Sequence, residues 1–251
     1  MSRWLNLNFT LVSEGSSDCV LVPILAWALR ALPQIGAVNG KWADLHQLRT
    51  PPQNLAEKIL KAAELYPCDL LFIHRDADRQ PPDMRYREID AAVDEAWAQQ
   101  SRLPAVCVVP VRMSEAWLLF DEPAIRQAAS NPRGKIPLTI LTGARVEQCP
   151  DPKDLLLQNL RDASETSGRR LKQFRQQETQ AVHRVVANIR DFSPLRQIPA
   201  FARLEHDLKE CVEREFVHMH NVSGHQSPEP KAAGGSVRHV AGIQSSSKVQ
   251  P

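Results

Sequence analysis

The stretch Asp69-Leu-Leu-Phe-Ile-His-Arg-Asp-Ala-Asp78 restricts the fold more than any other part of the chain. A short apolar, β-favouring run bounded by polar residues reads as a buried strand of a parallel sheet. It leads straight into Asp76 and Asp78, spaced i, i+2. Open α/β sheets bind ligands at the carboxyl ends of their strands, and these two acids fall there. On a strand, residues i and i+2 share a face, so the two anions would lie side by side and repel. A divalent cation bridging them relieves that repulsion, and hard oxygen donors suit Mg2+ or Mn2+. Solvated loop carboxylates are the plain alternative for an Asp-x-Asp pair.

The flanking segments build an α/β pattern around this strand. Leu5 to Ser13 alternates, with Leu5, Leu7, Phe9 and Leu11 on one face, which predicts a strand. It ends in Ser13-Glu14-Gly15-Ser16-Ser17-Asp18, a turn rich in helix-capping residues. Cys19 to Leu32 then reads as a buried helix with Pro23 near its start, where proline is least harmful. Glu14 closes the strand and Asp18 opens the helix, each as a helix-terminal anion or as a metal ligand. Trp42 to Leu48 fits either a short strand or an irregular connection. Leu55 to Tyr66 and Met84 to Gln100 have helical spacing, the second with Ile89, Ala92, Val93 and Trp97 on one stripe. Ala105 to Val111 is another buried strand whose end Pro110 makes irregular. Arg112-Met-Ser-Glu-Ala-Trp-Leu-Leu-Phe-Asp121 places Glu115 at the opening of a short apolar helix, with Trp117 and Leu118 in the core. Carboxylate thus arrives at each of three strand-to-helix junctions.

Beyond Asn131 the pattern becomes helical. Cys149-Pro-Asp-Pro-Lys153 caps a helix to about Ser164, a basic helix runs from Arg169 to Ile189, and another spans Phe201 to about Phe216. From Val222 the chain is rich in breakers and lacks aromatic residues, so it is expected to be disordered. The reading is an α/β core over 1–130, a helical extension over 131–221 packed on it, and a tail over 222–251. A chain of 251 residues, 43% apolar, is long enough for that core.

A formal net charge of +2 gives no global basic field, so any nucleic-acid contact must come from a local patch. Arg169, Arg170, Lys172 and Arg175 supply one candidate, which reads equally as a solvated helix face. The five cysteines are odd in number, widely spaced and without a Cys-x-x-Cys pair, which points to free thiols in a reducing compartment. Neither a signal peptide nor a membrane span is visible, so a soluble, cytoplasmic protein is expected. His74 reads as a core residue or a support for the acids rather than a ligand. Arg75 and Arg112 lie beside acidic turns and either hold phosphate or form salt bridges. His218 and His220 form a weaker chelating pair.

Taken together, Glu14-Gly-Ser-Ser-Asp18, Asp76-Ala-Asp78, Ser114-Glu-Ala-Trp117 and Asp151-Pro-Lys153 resemble the elements of a TOPRIM-type domain. More narrowly, the chain is similar to the DUF4276 family, itself similar to the TOPRIM half of the OLD nucleases. The resemblance covers roughly residues 5 to 215. It implies a TOPRIM-like, Rossmann-like fold with a mostly parallel sheet, and Mg2+- or Mn2+-dependent hydrolysis of phosphodiester bonds in DNA or RNA by two ions. Carried onto this sequence, Glu14 and Asp18 serve one ion, Asp78 and Glu115 the other, and Asp76 lies between them. Lys153 is the basic residue that supports the phosphate. Asp18 is shorter than the Glu often found at its position. The resemblance also implies a separate ABC- or AAA-type ATPase partner, since the chain lacks a Gly-x-x-x-x-Gly-Lys-Ser/Thr loop, and a role in bacterial defence against phage.

Two other classes compete with the nuclease. A nucleotide-sugar transferase would use Asp76 and Asp78 to hold Mn2+ but leave Glu14 and Glu115 without a function. A non-catalytic TOPRIM module would scaffold an ATPase complex.

Overall fold

The computed structural model describes residues 4–98 and 102–217. The expected tail from Val222 and the pair His218 and His220 lie outside the described residues. Strands β1 (Leu5–Val12), β2 (Ile35–Trp42), β3 (Leu70–His74) and β4 (Ala105–Val108) form one four-stranded sheet in the order β2-β1-β3-β4. Every pairing is parallel. Helices α1 (Leu21–Arg30), α2 (Leu55–Leu65) and α3 (Pro82–Ala96) connect the strands. Helices α4 (Glu122–Ala128), α5 (Pro152–Ser164), α6 (Gly168–Arg175), α7 (Glu178–Asn188) and α8 (Pro199–Val212) follow the sheet. The expected α/β class, with a parallel sheet flanked by helices, is therefore what the chain adopts, and the arrangement is Rossmann-like.

All five residues of β3 are buried, as an apolar strand covered on both faces must be. Its alternation decides which helices cover which face. Leu70 and Phe72 join Phe9, Leu11 and α1 in one apolar cluster, while Leu71 and Ile73 join α2 and α3 in a second. Phe9 and Phe72 meet edge to face at 5.1 Å. Burying each such side chain contributes roughly 1.5–3 kcal/mol. A register slip of one residue would exchange the two faces, so the pattern itself fixes the pairing.

β2 was not expected at its position. The strand occupies Ile35–Trp42, and the stretch after Trp42 is irregular. Ile35-Gly-Ala-Val-Asn-Gly-Lys-Trp42 has two glycines and little apolar alternation, and it is held by its parallel ladder with β1. At Gly40 a side chain could not be accommodated, because a Cβ there would lie 2.8 Å from Cε2 of Phe9 and closer still to Cζ. The basic helix expected from Arg169 to Ile189 is two helices. Gln177 leaves helical geometry with its N–H on the Phe174 carbonyl (2.8 Å). Glu178 then opens α7, where its carboxylate accepts two hydrogen bonds from Arg161 (2.7 and 2.9 Å).

The order of strands locates the site. The chain passes from β1 outward to β2, then returns to β3 on the other side of β1. Winding reverses between β1 and β3, and α1 accordingly lies on one face while α2 and α3 lie on the other. Such a reversal opens a crevice at the carboxyl ends of the two strands, the usual ligand position in open α/β sheets. The first apolar cluster continues from the sheet into Leu156, Val185, Phe201 and Leu204 of α5, α7 and α8. Trp117 and Leu118 are fully buried in it, with Trp117 edge-on to Phe201 at 5.2 Å. Among the described residues, no helix is long and apolar enough to cross a membrane.

Candidate metal centre

At the crevice between β1 and β3, Asp18, His74 and Asp76 converge, offering one ligand atom each within 4.8 Å of one another. His74 ends β3 and is 1% exposed. Its Nδ1 lies 3.0 Å from the Val108 carbonyl on β4. A proton on Nδ1 donates to that carbonyl and leaves the Nε2 lone pair facing the acids, the arrangement found in metal-bound histidines. Nε2 stands 3.3 Å from Oδ1 of Asp76 and 3.9 Å from Oδ1 of Asp18. Burial by itself pushes the imidazole pKa down. Asp76, Asp18 and the Val108 carbonyl outweigh it and hold the value above that of an ordinary histidine.

Asp18 reaches the group from a 3-10 turn, Ser16–Val20, that follows β1. Its Oδ2 accepts the Gly15 N–H (3.0 Å) at the start of the turn, while Oδ1 faces His74. Asp76 lies beyond β3, in a segment that stays zipped to the one after β4. Arg75 N donates to the Val108 carbonyl (3.1 Å), Ala77 N to Pro110 (3.0 Å) and Asp78 N to Arg112 (2.7 Å). This pairing places Asp76 against His74. Oδ1 of Asp76 is buried and satisfied by no aligned hydrogen bond. A buried carboxylate oxygen without a donor is costly unless a cation or proton meets it. Two carboxylates and an imidazole with its distal N–H anchored, the buried Asp76 oxygen meeting only His74 Nε2, fit a divalent ion.

The other expected residues stand outside this group. The i, i+2 argument for Asp76 and Asp78 does not hold, because β3 ends at His74 and Asp78 turns left-handed at φ 53°. Its carboxylate is 54% exposed and pairs with Arg85 (3.0 Å). Glu14 is equally exposed and pairs with Arg75. Arg75 also pairs with Glu88, which in turn meets Arg85 (2.9 Å), so Glu14 and Asp78 are the two ends of one chain of ion pairs. Glu115 is buried in the 3-10 turn Ser114–Leu118, with Lys153 Nζ 3.5 Å away. Lys153 is the second residue of α5, whose N-terminus Asp151 caps by accepting from Asp154 N (2.8 Å). Arg112 donates to the Pro150 carbonyl (3.3 Å).

His74 is the member of the group that the sequence presents as a core residue or a support for the acids rather than as a ligand. Its signal was its place as the last residue of an apolar strand, immediately before the acids, where side chains reach the crevice. Cys19, next to Asp18 in the chain, lies 3.7 Å from His183 Nδ1. Burial and the Asp18 charge push the Cys19 thiol up, so this pair is not an activated nucleophile. All five cysteines are free. In comparisons with protein-family models, curated proteins and solved structures, the chain matches none.

Proposed function

We propose that this protein is a metal-dependent phosphodiesterase acting on nucleic acid, with Asp18, His74 and Asp76 as the ligands of its principal ion. The observation that carries this reading is the Asp18, His74 and Asp76 group at the winding reversal of the sheet, where the buried Oδ1 of Asp76 is met by His74 Nε2 at 3.3 Å and by no other polar group. A divalent ion bound there lowers the pKa of a coordinated water and offsets charge on phosphoryl oxygens. Carboxylates suit Mn2+ and Mg2+, whereas imidazole suits the transition metals, so the mixed set favours Mn2+ over Mg2+.

The chain's own residues account for the rest of the site. The Val108 carbonyl orients His74, and the Gly15 N–H orients Asp18. Lys153, half exposed and 3.5 Å from Glu115, would offer its ammonium to a phosphate. A second ion would draw on Glu14 or Asp78, each of which would exchange its arginine for the metal. The chain of ion pairs from Glu14 through Arg75, Glu88 and Arg85 to Asp78 favours the alternative of a non-catalytic module, because it gives both acids a structural partner.

Cleavage of supercoiled plasmid and of labelled single-stranded oligonucleotides with Mn2+, by the parent and by Asp76→Asn and His74→Gln, tests the proposal. The parent should cut and both variants should lose at least a hundredfold in rate. Equal activity in variant and parent, or a parent inert on every substrate with bound Mn2+, would remove the nuclease reading.

A further inference from the structure

We infer that α6 is a docking element for the phosphate backbone of nucleic acid, reached from Lys153 along the length of α5; this rests on the nuclease reading and extends it. The sequence of α6, Gly-Arg-Arg-Leu-Lys-Gln-Phe-Arg, carries Arg169, Arg170, Lys172 and Arg175 and no acid. All four are exposed. Among the described residues none of them has a carboxylate within 4.0 Å, whereas Arg75, Arg85, Arg126, Arg161, Arg196 and Arg203 are each ion-paired. Other described basic residues without an ion pair, among them Arg49, Arg133 and Arg145, stand apart along the chain, whereas α6 gathers four on eight residues.

The inward side of α6 is already used. Leu171 and Phe174 are half-buried, and Phe174 packs on the main apolar cluster. The outward arc holds the four cations with Gln173 and Gln176, and no apolar side chain. A membrane-surface helix needs an exposed apolar face to enter the lipid boundary, and α6 has none to offer. Guanidinium groups match phosphodiester oxygens in planar, bidentate fashion, and three of the four cations are arginine.

The placement fits a substrate that passes Lys153. α5 begins with Lys153 beside Glu115 and ends at Ser164, and α6 follows after residues 165–167. A helix of 13 residues is about 20 Å long at 1.5 Å per residue. Along a duplex that length spans about six base pairs at 3.4 Å each. A backbone engaged by Lys153 can thus be gripped by α6 about half a helical turn away. The contact is to phosphates, so it adds affinity without sequence preference.

The test is the quadruple variant Arg169→Gln, Arg170→Gln, Lys172→Gln, Arg175→Gln of the full chain. Binding of a fluorescein-labelled 30-base-pair duplex and a 30-nucleotide single strand would be followed by anisotropy in EDTA, where no cutting occurs. Thermal melting would confirm that the exposed substitutions leave the fold intact. The slope of log K against log salt should fall by about 3 for duplex, and affinity at low salt by at least tenfold. A control neutralising Arg49, Arg133 and Arg145 should retain most of the binding. Unchanged slope and affinity in the quadruple variant, no binding by the parent, or equal competition by polyglutamate would overturn the inference. If the quadruple variant loses binding but the parent never cleaves with Mn2+, the nuclease reading fails while the docking role of α6 stands.

Discussion

Replacing Asp76 with Asn separates a metal centre from a buried ion-pair group, because the two predict opposite responses. The ligand atoms of Asp18, His74 and Asp76 lie within 4.8 Å, where two unit charges interact by about 3.5 kcal/mol at an effective dielectric of 20. When His74 is protonated its charge offsets the repulsion between the two carboxylates. When it is neutral, only an added cation can. Asn keeps the shape of Asp76 and removes one of the two negative charges, so in EDTA at pH 8 the variant should melt at or above the parent. Mn2+ reverses the order. At one hundred times its dissociation constant an ion stabilises a single site by about 2.7 kcal/mol. For a domain of this size that is about 5–10 °C in melting temperature. The assay is differential scanning fluorimetry of parent and Asp76→Asn with EDTA and with graded Mn2+. The parent should rise by that amount and the variant by less than about 2 °C, under half of the parent's shift. Equal shifts in both proteins would refute the assignment, as would a parent unmoved by millimolar Mn2+.

The same group gives a pH signature. The folded pKa of His74 is raised, so without metal its proton contributes stability that is complete below the ordinary histidine value of about 6.5 and is lost as pH rises through the folded value. Urea melts in EDTA should show that fall for the parent and a flatter profile for His74→Gln. Lys153→Met removes the cation 3.5 Å from buried Glu115; because Lys153 is 55% exposed the loss should be about 1 kcal/mol, largely recovered in the double variant with Glu115→Gln, by urea melts. Gly40→Ala drives a methyl into the ring of Phe9, which is 1% exposed, and should cost about 1–3 kcal/mol in the same assay.

How much of this was legible depended on how local the cause was. β3 could be read because every one of its side chains is apolar or terminal, and burial on both faces leaves that mark in the sequence. β2 could not, since Gly36 and Gly40 erase its alternation and its pairing with β1 is set by distant residues. Asp18 and Asp76 were legible as acids at strand-to-helix junctions. Their partner His74 was hidden by its apolar neighbours, although the Val108 carbonyl that orients it comes from another strand. Asp78 misled the reading because a left-handed turn, invisible in residue type, redirects it to Arg85. Glu14 was redirected likewise by Arg75. Charge pairing between separate elements is a property of the folded surface, and spacing along the chain does not encode it.

The hydrogen bonds that join residues 75–78 to the segment after β4 fix the shelf on which Asp76 sits. The backbone ordering that a flexible chelating loop undergoes on capture, about 1–2 kcal/mol per residue, is here completed during folding. Ion capture should therefore be quick and nearly rigid, with a small heat of rearrangement and a rate governed by ligand exchange in the hydration shell of the ion.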